Sequence, residues 1–443
     1  MDNLKYLSFT KFKENTFFKF VKNDISISSG VNQFEILDLY KELMNIEIYN
    51  QNTISTYAEA KGNQILIDVL SYYENYLFQE MICGYKYKLC MVAGATAGLN
   101  IIFDYLSMQG IKHGLIIGYS YNLFAVLAQR YGIKLEVLIS DELNKIVPNI
   151  SEIAYMIEKT KPKFVCLTEP LNPSGEMYSE LEFRQLLRIC KKYNCFLIID
   201  KCQRDELQNI NKRNYFPINK IINEEDLLDN VIFVNSLSKT RCLPGLRVGY
   251  VIGNKKIMNY VEYMNTISYW HSCSCCSLAV AIDVLYQLIF LESNSKELYI
   301  NDIRSMLQYS LRDVLIAKEI FEYINIKTIE EKAKIHCQAI MRRYEIIYSN
   351  YLLVKKYALK KGYEITTLDG GYNFCIKVTC FWGEKGLKKY ASEKYKLELF
   401  TQEDFCCKTK GDYSFWLRIS CAECAKTFEK KFELLSSILS EIC

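Results

Sequence analysis

NVIFVNSLSKTRCLPGLRVGYVIG (230–253) is two short apolar runs, 230–235 and 247–253, on either side of a turn that carries Lys239 and Pro244. Runs of this length, rich in Val and Ile without polar alternation, read as strands buried on both faces. Working outward, five more runs have the same character: KLCMVA (88–93), HGLIIGY (113–119), KLEVLIS (134–140), KFVCLTEP (163–170) and CFLIID (195–200). Helical spacing fills the intervals, with Leu99, Ile102, Phe103 and Leu106 on one face and Leu181, Leu186, Leu187 and Cys190 on another. Strands alternating with helices predict an α/β fold, a mostly parallel central sheet flanked by helices. In such sheets ligands bind at the carboxyl ends of strands.

Beyond this core, residues 255–350 read as mostly helical, with Ile303, Leu307, Leu311, Val314 and Leu315 predicted on one apolar face. GYEITTL, GGYNFCIKV and SFWLRIS then read as strands and TFEKKFELLSSIL as a closing helix. The expected organisation is an N-terminal arm (1–55) belonging to a smaller α+β domain, a large domain (56–310), and the rest of the small domain (311–443). The 55 Lys+Arg nearly balance the 51 Asp+Glu, and no basic block interleaves with aromatics, which argues against nucleic acid as a partner. No apolar run reaches membrane-spanning length, and MDNLKYLSFTKFKENTFFKF lacks the core of a signal peptide, so a soluble cytoplasmic protein is expected. The 18 cysteines, scattered through a long chain, fit reduced thiols better than a disulfide framework.

The chemistry-bearing residues lie at strand ends. In SLSKTRCLPGLRVGY (236–250), Lys239 has Ser236 three residues before it and Arg247 eight after. A lysine amine forms a Schiff base with a carbonyl cofactor once its surroundings lower its pKa. Arg247 offers a planar fork to phosphate oxygens, Ser236 a hydroxyl, and Gly245 and Gly249 room for close backbone approach. An exposed loop lysine with a structural arginine fits that spacing equally well. Asp200, ending CFLIID, either caps the next helix or holds a pyridine nitrogen protonated. Asn172 in EPLNPSG (169–175) is an ordinary Asn-Pro turn or a donor to a phenolic oxygen, presented by Pro170 and Pro173. VAGATAGLN (92–100) is a strand, a glycine turn and a helix start, whose Ala95 and Thr96 N–H groups can cradle phosphate. Its spacing matches neither the dinucleotide fingerprint nor a Walker loop, so a tight structural turn explains it too, and a nucleotide-dependent dehydrogenase is disfavoured. Tyr121 in YSYNLF (119–124) stacks on an aromatic cofactor or packs in the core.

Taken together, in this order and at these spacings, the set resembles the class I/II aminotransferases that depend on pyridoxal phosphate, the fold-type-I enzymes. The resemblance runs from about Ser55 to Lys426, and SLSKTRCLPGLRVGY is its most specific piece. It implies pyridoxal 5'-phosphate on Lys239 as an internal aldimine, Asp200 on the pyridine nitrogen, Asn172 on the phenolic oxygen and Tyr121 stacked on the ring. Ala95, Thr96, Ser236 and Arg247 would hold the phosphate. Arg418 in FWLRIS would bind the substrate carboxylate, and ISISSGVNQF (25–34), which includes Gly30, would cover the substrate. Tyr57 in YAEAKG would reach the neighbouring subunit's phosphate in a homodimer. The implied reaction moves the amino group of an amino acid to a 2-keto acid.

The chain also departs from the family's pattern. Three residues after the aspartate the family has a tyrosine that donates beside the asparagine; here the position is Gln203. Lys201 replaces an acidic neighbour, and the helical region 290–345 is longer than usual. These differences leave the cofactor in place but keep open a lyase, cyclase or oxidase acting on an amino acid. A cofactor-free binding protein is disfavoured because Lys239, Asp200, Asn172 and Arg247 are all present. Cys421 and Cys424 have C-x-x-C spacing with Cys406 and Cys407 upstream, yet Cys421 follows the Arg418 strand where small core residues belong, and no metal is expected. Cys273, Cys275 and Cys276 read as small buried hydrophobes. His113, His271 and His336 are too scattered for a histidine-based hydrolase.

Overall fold

The computed structural model describes residues 25–49, 56–78, 87–140, 145–209, 216–268, 274–405 and 413–443; His271, Cys273, Cys406 and Cys407 lie outside these. Its strands in chain order are β1 (Ile25–Ser26), β2 (Tyr87–Ala93), β3 (His113–Ile117), β4 (Lys134–Leu138), β5 (Phe164–Thr168), β6 (Phe196–Asp200) and β7 (Val231–Ser236). They continue as β8 (Val248–Asn254), β9 (Glu364–Ile365), β10 (Asn373–Thr379), β11 (Leu397–Glu398), β12 (Phe400–Thr401) and β13 (Ser414–Ser420). The chain divides into two compact units, Met1–Phe34 with Phe103–Asp205 and Tyr344–Cys443, and Glu35–Ile102 with Glu206–Arg343.

In the first unit β4, β3, β5 and β6 lie side by side, all parallel, with Thr168 in register with Asp200. Every residue of β5 is buried, as a strand covered on both faces requires. The helix Glu180–Lys192 is started by a capping box in which Ser179 Oγ accepts from the Glu182 N–H and the Glu182 carboxylate accepts from the Ser179 N–H at 2.8 Å. Phe183, Leu186, Leu187 and Cys190 are its buried face, whereas Leu181, predicted inside, lies exposed in the first turn. A second sheet in this unit runs β12-β13-β10-β9, antiparallel throughout. Phe374, Ile376, Leu417 and Ile419 from its strands pack with Tyr351, Val354 and Ala358 of one helix and Phe428, Phe432 and Leu435 of the helix Ala425–Ile442. Its register sets Arg418 between Phe400 and Cys375, and Ser420 opposite Asn373.

In the second unit β8 runs antiparallel to both β2 and β7, so those two share a direction and β8 alone is reversed between them. An α/β fold with a mostly parallel sheet therefore stands. Gly249 is in register with Val92 on one side and Ser236 on the other, which brings the ends of β2 and β7 level with the start of β8. The helices Gln64–Phe78, Lys255–Ser268 and Ser277–Leu291 belong to this unit, and the last is buried along most of its length. The single apolar face predicted over 303–315 is not continuous. Ile303 and Leu307 are buried, but the helix Lys296–Met306 ends there, and Asp313 caps a new helix, Val314–Tyr323, by accepting from the Leu315 and Ile316 N–H groups. That restart rotates the pattern: Ile316 and Ile320 face inward, and Val314 and Leu315 are 80% and 76% exposed.

Candidate active site

The residues singled out in the sequence fall into two groups, one in each unit. In the second unit, Ala95 and Thr96 open the helix Gly94–Met108 directly after β2, and Ser236 ends β7. Ser236 Oγ donates to the Val248 carbonyl at 3.0 Å and accepts from the Ser238 N–H at 3.1 Å. Arg247 takes a left-handed conformation (φ 53°), from which Nη1 donates to the Pro244 carbonyl at 3.0 Å and Nη2 to the Ala93 carbonyl at 3.4 Å. This guanidinium lies over the start of the helix because Gly94 has no side chain: a Cβ there would stand 2.4 Å from Arg247 Nη2. Gly249 is needed for the same approach, since its Cβ would stand 2.6 Å from the Gly94 carbonyl carbon. A helix N-terminus, a guanidinium and a pair of hydroxyls thus converge at the strand ends. Ser238, buried beside Ser236 with its Oγ 2.7 Å away, belongs with them and was not singled out in the sequence; its position next to Lys239 is the signal for it.

Lys239 sits one turn past β7, in the short helix Leu237–Thr240. That turn is anchored from behind. Arg241 Nε donates to Asp283 Oδ2 at 2.7 Å, His336 Nε2 meets Asp283 Oδ1 at 2.7 Å, and Tyr40 donates to Asp283 at 3.0 Å, all of them buried. Burial alone would push the Asp283 carboxyl up, but Arg241 and then His336 outweigh it and hold the group well below the usual carboxylate range. Tyr57 is 91% exposed, in a segment tied to β2 where the Met91 N–H donates to the Lys61 carbonyl at 2.9 Å.

In the first unit, Asp200 ends β6 buried, and its Oδ1 accepts from the Cys202 N–H at 2.9 Å. Asn172 follows β5, its own N–H bonded to Thr168 Oγ1 at 2.9 Å, and Tyr121 follows β3 with its ring edge-on to Phe124. Arg418 is 3% exposed. It donates to the Ser28 carbonyl through Nε (3.0 Å) and Nη2, and to Asn172 Oδ1 through Nη1 (3.2 Å), with Phe405 and Phe400 against its faces at 4.6 and 5.2 Å. Gly30 is packed on the same guanidinium, where a Cβ would come within 3.0 Å of Nη2. Burial lowers the Arg418 pKa to about 10. The contrast with other buried arginines is informative: Arg204 pairs with Glu169 at 3.0 Å and Arg241 with Asp283, whereas Arg418 has no carboxylate partner among the described residues. The Arg418 charge is thus met in this unit by neutral acceptors and aromatic faces.

Three further residues complete this group, and sequence reading missed them. Gln203 Oε1 accepts from Asn373 Nδ2 at 3.0 Å, Ser420 Oγ donates to Asn373 Oδ1 at 2.6 Å, and Tyr372 donates to the Gly30 carbonyl at 2.9 Å. Ser420 had a signal, lying two residues past Arg418 on the same strand face. Asn373 and Tyr372 had none. Cys421 is buried, its thiol 3.1 Å from the Tyr372 carbonyl, while Cys424 is exposed beside Thr427; no cluster among the described residues is built to hold a metal ion.

The α/β fold thus carries, in each of its two units, one group of polar side chains of the kind that bind small charged molecules. A sequence profile for "Aminotransferase class I and II" matches residues 23–318, and the chain belongs to that family, whose cofactor is pyridoxal phosphate. It is 28% identical over 192 residues to a histidinol-phosphate aminotransferase of Thermoanaerobacter pseudethanolicus, covering 42% of this chain and 49% of that one. It is 31% identical over 114 residues to an aspartate aminotransferase of Sulfurisphaera tokodaii, covering 25% and 26%. The chain thus spans half or less of the length of these curated relatives. Among solved structures, the aromatic aminotransferase of Pyrococcus horikoshii superimposes with a TM-score of 0.72 at 15% identity over 96% of this chain and 98% of that one, which is a likeness of fold.

Proposed function

We propose that this protein transfers the amino group of an amino acid to a 2-keto acid, with pyridoxal 5'-phosphate joined to Lys239. The observation that carries the reading is Arg418, a buried guanidinium with no carboxylate partner among the described residues, which suits the α-carboxylate of an amino acid. The residues of the second unit fit the cofactor's phosphate. Ala95 and Thr96 would offer backbone N–H groups, Ser236 and Ser238 hydroxyls, and Arg247 a planar fork, in a cradle that a side chain at position 94 would fill. In the first unit, Asp200 would pair with the ring nitrogen, Tyr121 would stack on the ring, and Asn172 and Gln203 would offer amide donors.

When bound, the cofactor draws electrons from the substrate's α-carbon and so makes its proton acidic. Asp200, a carboxylate at a strand end, would keep the ring nitrogen charged. Arg418 would fix the carboxylate and with it the orientation of the bonds at the α-carbon. Lys239 Nζ would take up the α-proton and deliver it elsewhere in the same site. Gly30, flush against the guanidinium, would leave room for the carboxylate and help to cover it. Tyr57, exposed within its own chain, would complete the phosphate site of a second copy in a homodimer. The buried thiols Cys90, Cys190, Cys195 and Cys375 suit a reducing cytoplasm.

One observation favours a second outcome on the same cofactor. Gln203 stands where a tyrosine is expected, and an amide does not tune the ring as a phenol does, so elimination, cyclisation or oxidation of an amino acid remains the alternative. A half-reaction with excess amino acid separates the two. Stoichiometric keto acid with pyridoxamine phosphate is the expected result; release of ammonia or a cyclic product would replace transfer by the second reading.

A further inference from the structure

The functional reading leaves Asn373 unused, although its side chain is buried among the polar groups around Arg418. The direction of each bond in this group follows from two groups that can only donate. The Gly30 N–H donates to Ser420 Oγ at 2.8 Å, and that hydroxyl donates to Asn373 Oδ1 at 2.6 Å. A hydroxyl can accept twice, so the Asn373 amide is oriented by Arg418. That guanidinium can only donate and so faces the oxygen of Asn172, leaving Nδ2 as the Asn373 atom that meets that oxygen. Asn373 Nδ2 then donates to Gln203 Oε1 at 3.0 Å and, more weakly, to Asn172 Oδ1 at 3.4 Å. The Arg418 guanidinium donates to the same Asn172 oxygen at 3.2 Å. Turning the Gln203 or the Asn172 amide over would set N–H against N–H, and turning Asn373 would set oxygen against oxygen. The relay therefore leaves Gln203 Nε2 and Asn172 Nδ2 directed away from Asn373, both as donors. Gly371 makes room for it: in its left-handed conformation (φ 68°) it would place a Cβ only 3.0 Å from Gln203 Oε1.

We propose that Asn373 is a positioning residue that locks Gln203 and Asn172 as a pair of N–H donors, so that this half of the site takes an oxygen acceptor that carries no proton. On the function proposed above, on which this inference rests, that acceptor is the ionised phenolic oxygen of the cofactor. Amides do not titrate in the working pH range, so the two donors persist where a hydroxyl would be lost on ionisation.

The test is a pH titration of the visible absorption band of the loaded protein. Gln203→Met removes one donor, and Asn373→Leu frees the Gln203 amide to turn. Each is expected to raise the midpoint by about one unit, the size of a lost hydrogen bond to a charged acceptor. The double variant should move little further than Gln203→Met alone, because Arg418 still holds Asn172 and the remaining effect of Asn373 passes through Gln203. A merely structural Asn373 would lower the melting temperature and leave the midpoint where it was. If Asn373→Leu does not fold, Ser420→Ala, which removes the hydroxyl bonded to Asn373 Oδ1, should shift the midpoint the same way by less. An unmoved midpoint in the folded variant, or shifts that add in the double variant, would overturn the proposal. A wild-type protein without any Lys239-dependent band overturns the functional reading and this inference together; a normal band with unmoved midpoints overturns this inference alone.

Discussion

Arg418 is the residue proposed to bind the substrate carboxylate, and its surroundings say how a replacement should behave. Lysine keeps the charge but loses the planar fork that reaches Ser28 and Asn172 at once. Arg418→Lys is expected to lower kcat/KM for an amino-acid substrate by about 2–5 kcal/mol, or roughly 30- to 4,000-fold, with the cofactor still bound. Steady-state kinetics on the loaded variant checks this; near-normal kcat/KM would remove Arg418 from the substrate site. Glu176 makes a different prediction. It lies in the turn that presents Asn172, where the Leu171 N–H donates to the Glu176 carbonyl at 3.0 Å. Its Oε2 is buried without a hydrogen-bond partner among the described residues, and burial, with Asp369 adding to it, pushes the carboxyl up to about 7. Between the ordinary carboxylate pKa and that value the folded chain holds a proton that the unfolded chain has lost, so stability falls as pH rises through this window and stays low above it. Glu176→Gln should be near neutral at pH 4–5 and stabilising at pH 8, on the order of 1–3 kcal/mol, by denaturant titration. Equal stabilities at pH 8 would mean that the carboxyl is not desolvated. At this scale the strand-end positions of the candidates Lys239, Asp200, Asn172 and Arg247 were legible because each lies at or just beyond a strand that hydrophobicity reveals. Asn373 was not, because its meaning comes from partners such as Gln203, 170 residues away in the chain.

Among the elements, the junction of β2, β8 and the helix Gly94–Met108 has little tolerance. A Cβ at Gly249 would meet backbone of Gly94 and Ala95 at 2.6–2.8 Å, and backbone cannot step aside as a side chain can. Gly249→Ala is expected to cost about 1–3 kcal/mol in a urea titration and to weaken binding of pyridoxal phosphate by moving the helix start. Unchanged stability and affinity would show that the cradle is looser than the backbone contact implies. All seven sheet strands predicted from apolar runs are present, displaced by a residue or two at their ends. The helical stretch after 290 was less legible. A run of apolar residues at helical spacing does not reveal that Asp313 restarts the helix, because a capping aspartate looks the same in sequence as an exposed one. Leu181 fails for a related reason, since the capping box at Ser179 fixes which side of the first turn faces out.

At the level of the whole molecule, the family is fixed by a profile match over residues 23–318, while the assembly and the reaction are proposals that stand on particular side chains. A residue as exposed as Tyr57, anchored by its segment to β2, is expected to gain a partner in a homodimer. Sedimentation should give twice the chain mass of 51.8 kDa, and Tyr57→Phe should weaken cofactor binding without dissociating the dimer. A monomer that binds the cofactor normally would remove Tyr57 from the site. Composition argues against nucleic acid as a partner but had no means of showing how two copies meet, since an exposed tyrosine carries no mark of its neighbour. The most direct measurement is to load the protein with pyridoxal phosphate, reduce it with borohydride and map the modified peptide by mass spectrometry. The account requires one cofactor-sized addition on Lys239, absent from Lys239→Ala; an adduct on a different lysine, or full loading of Lys239→Ala, would contradict it.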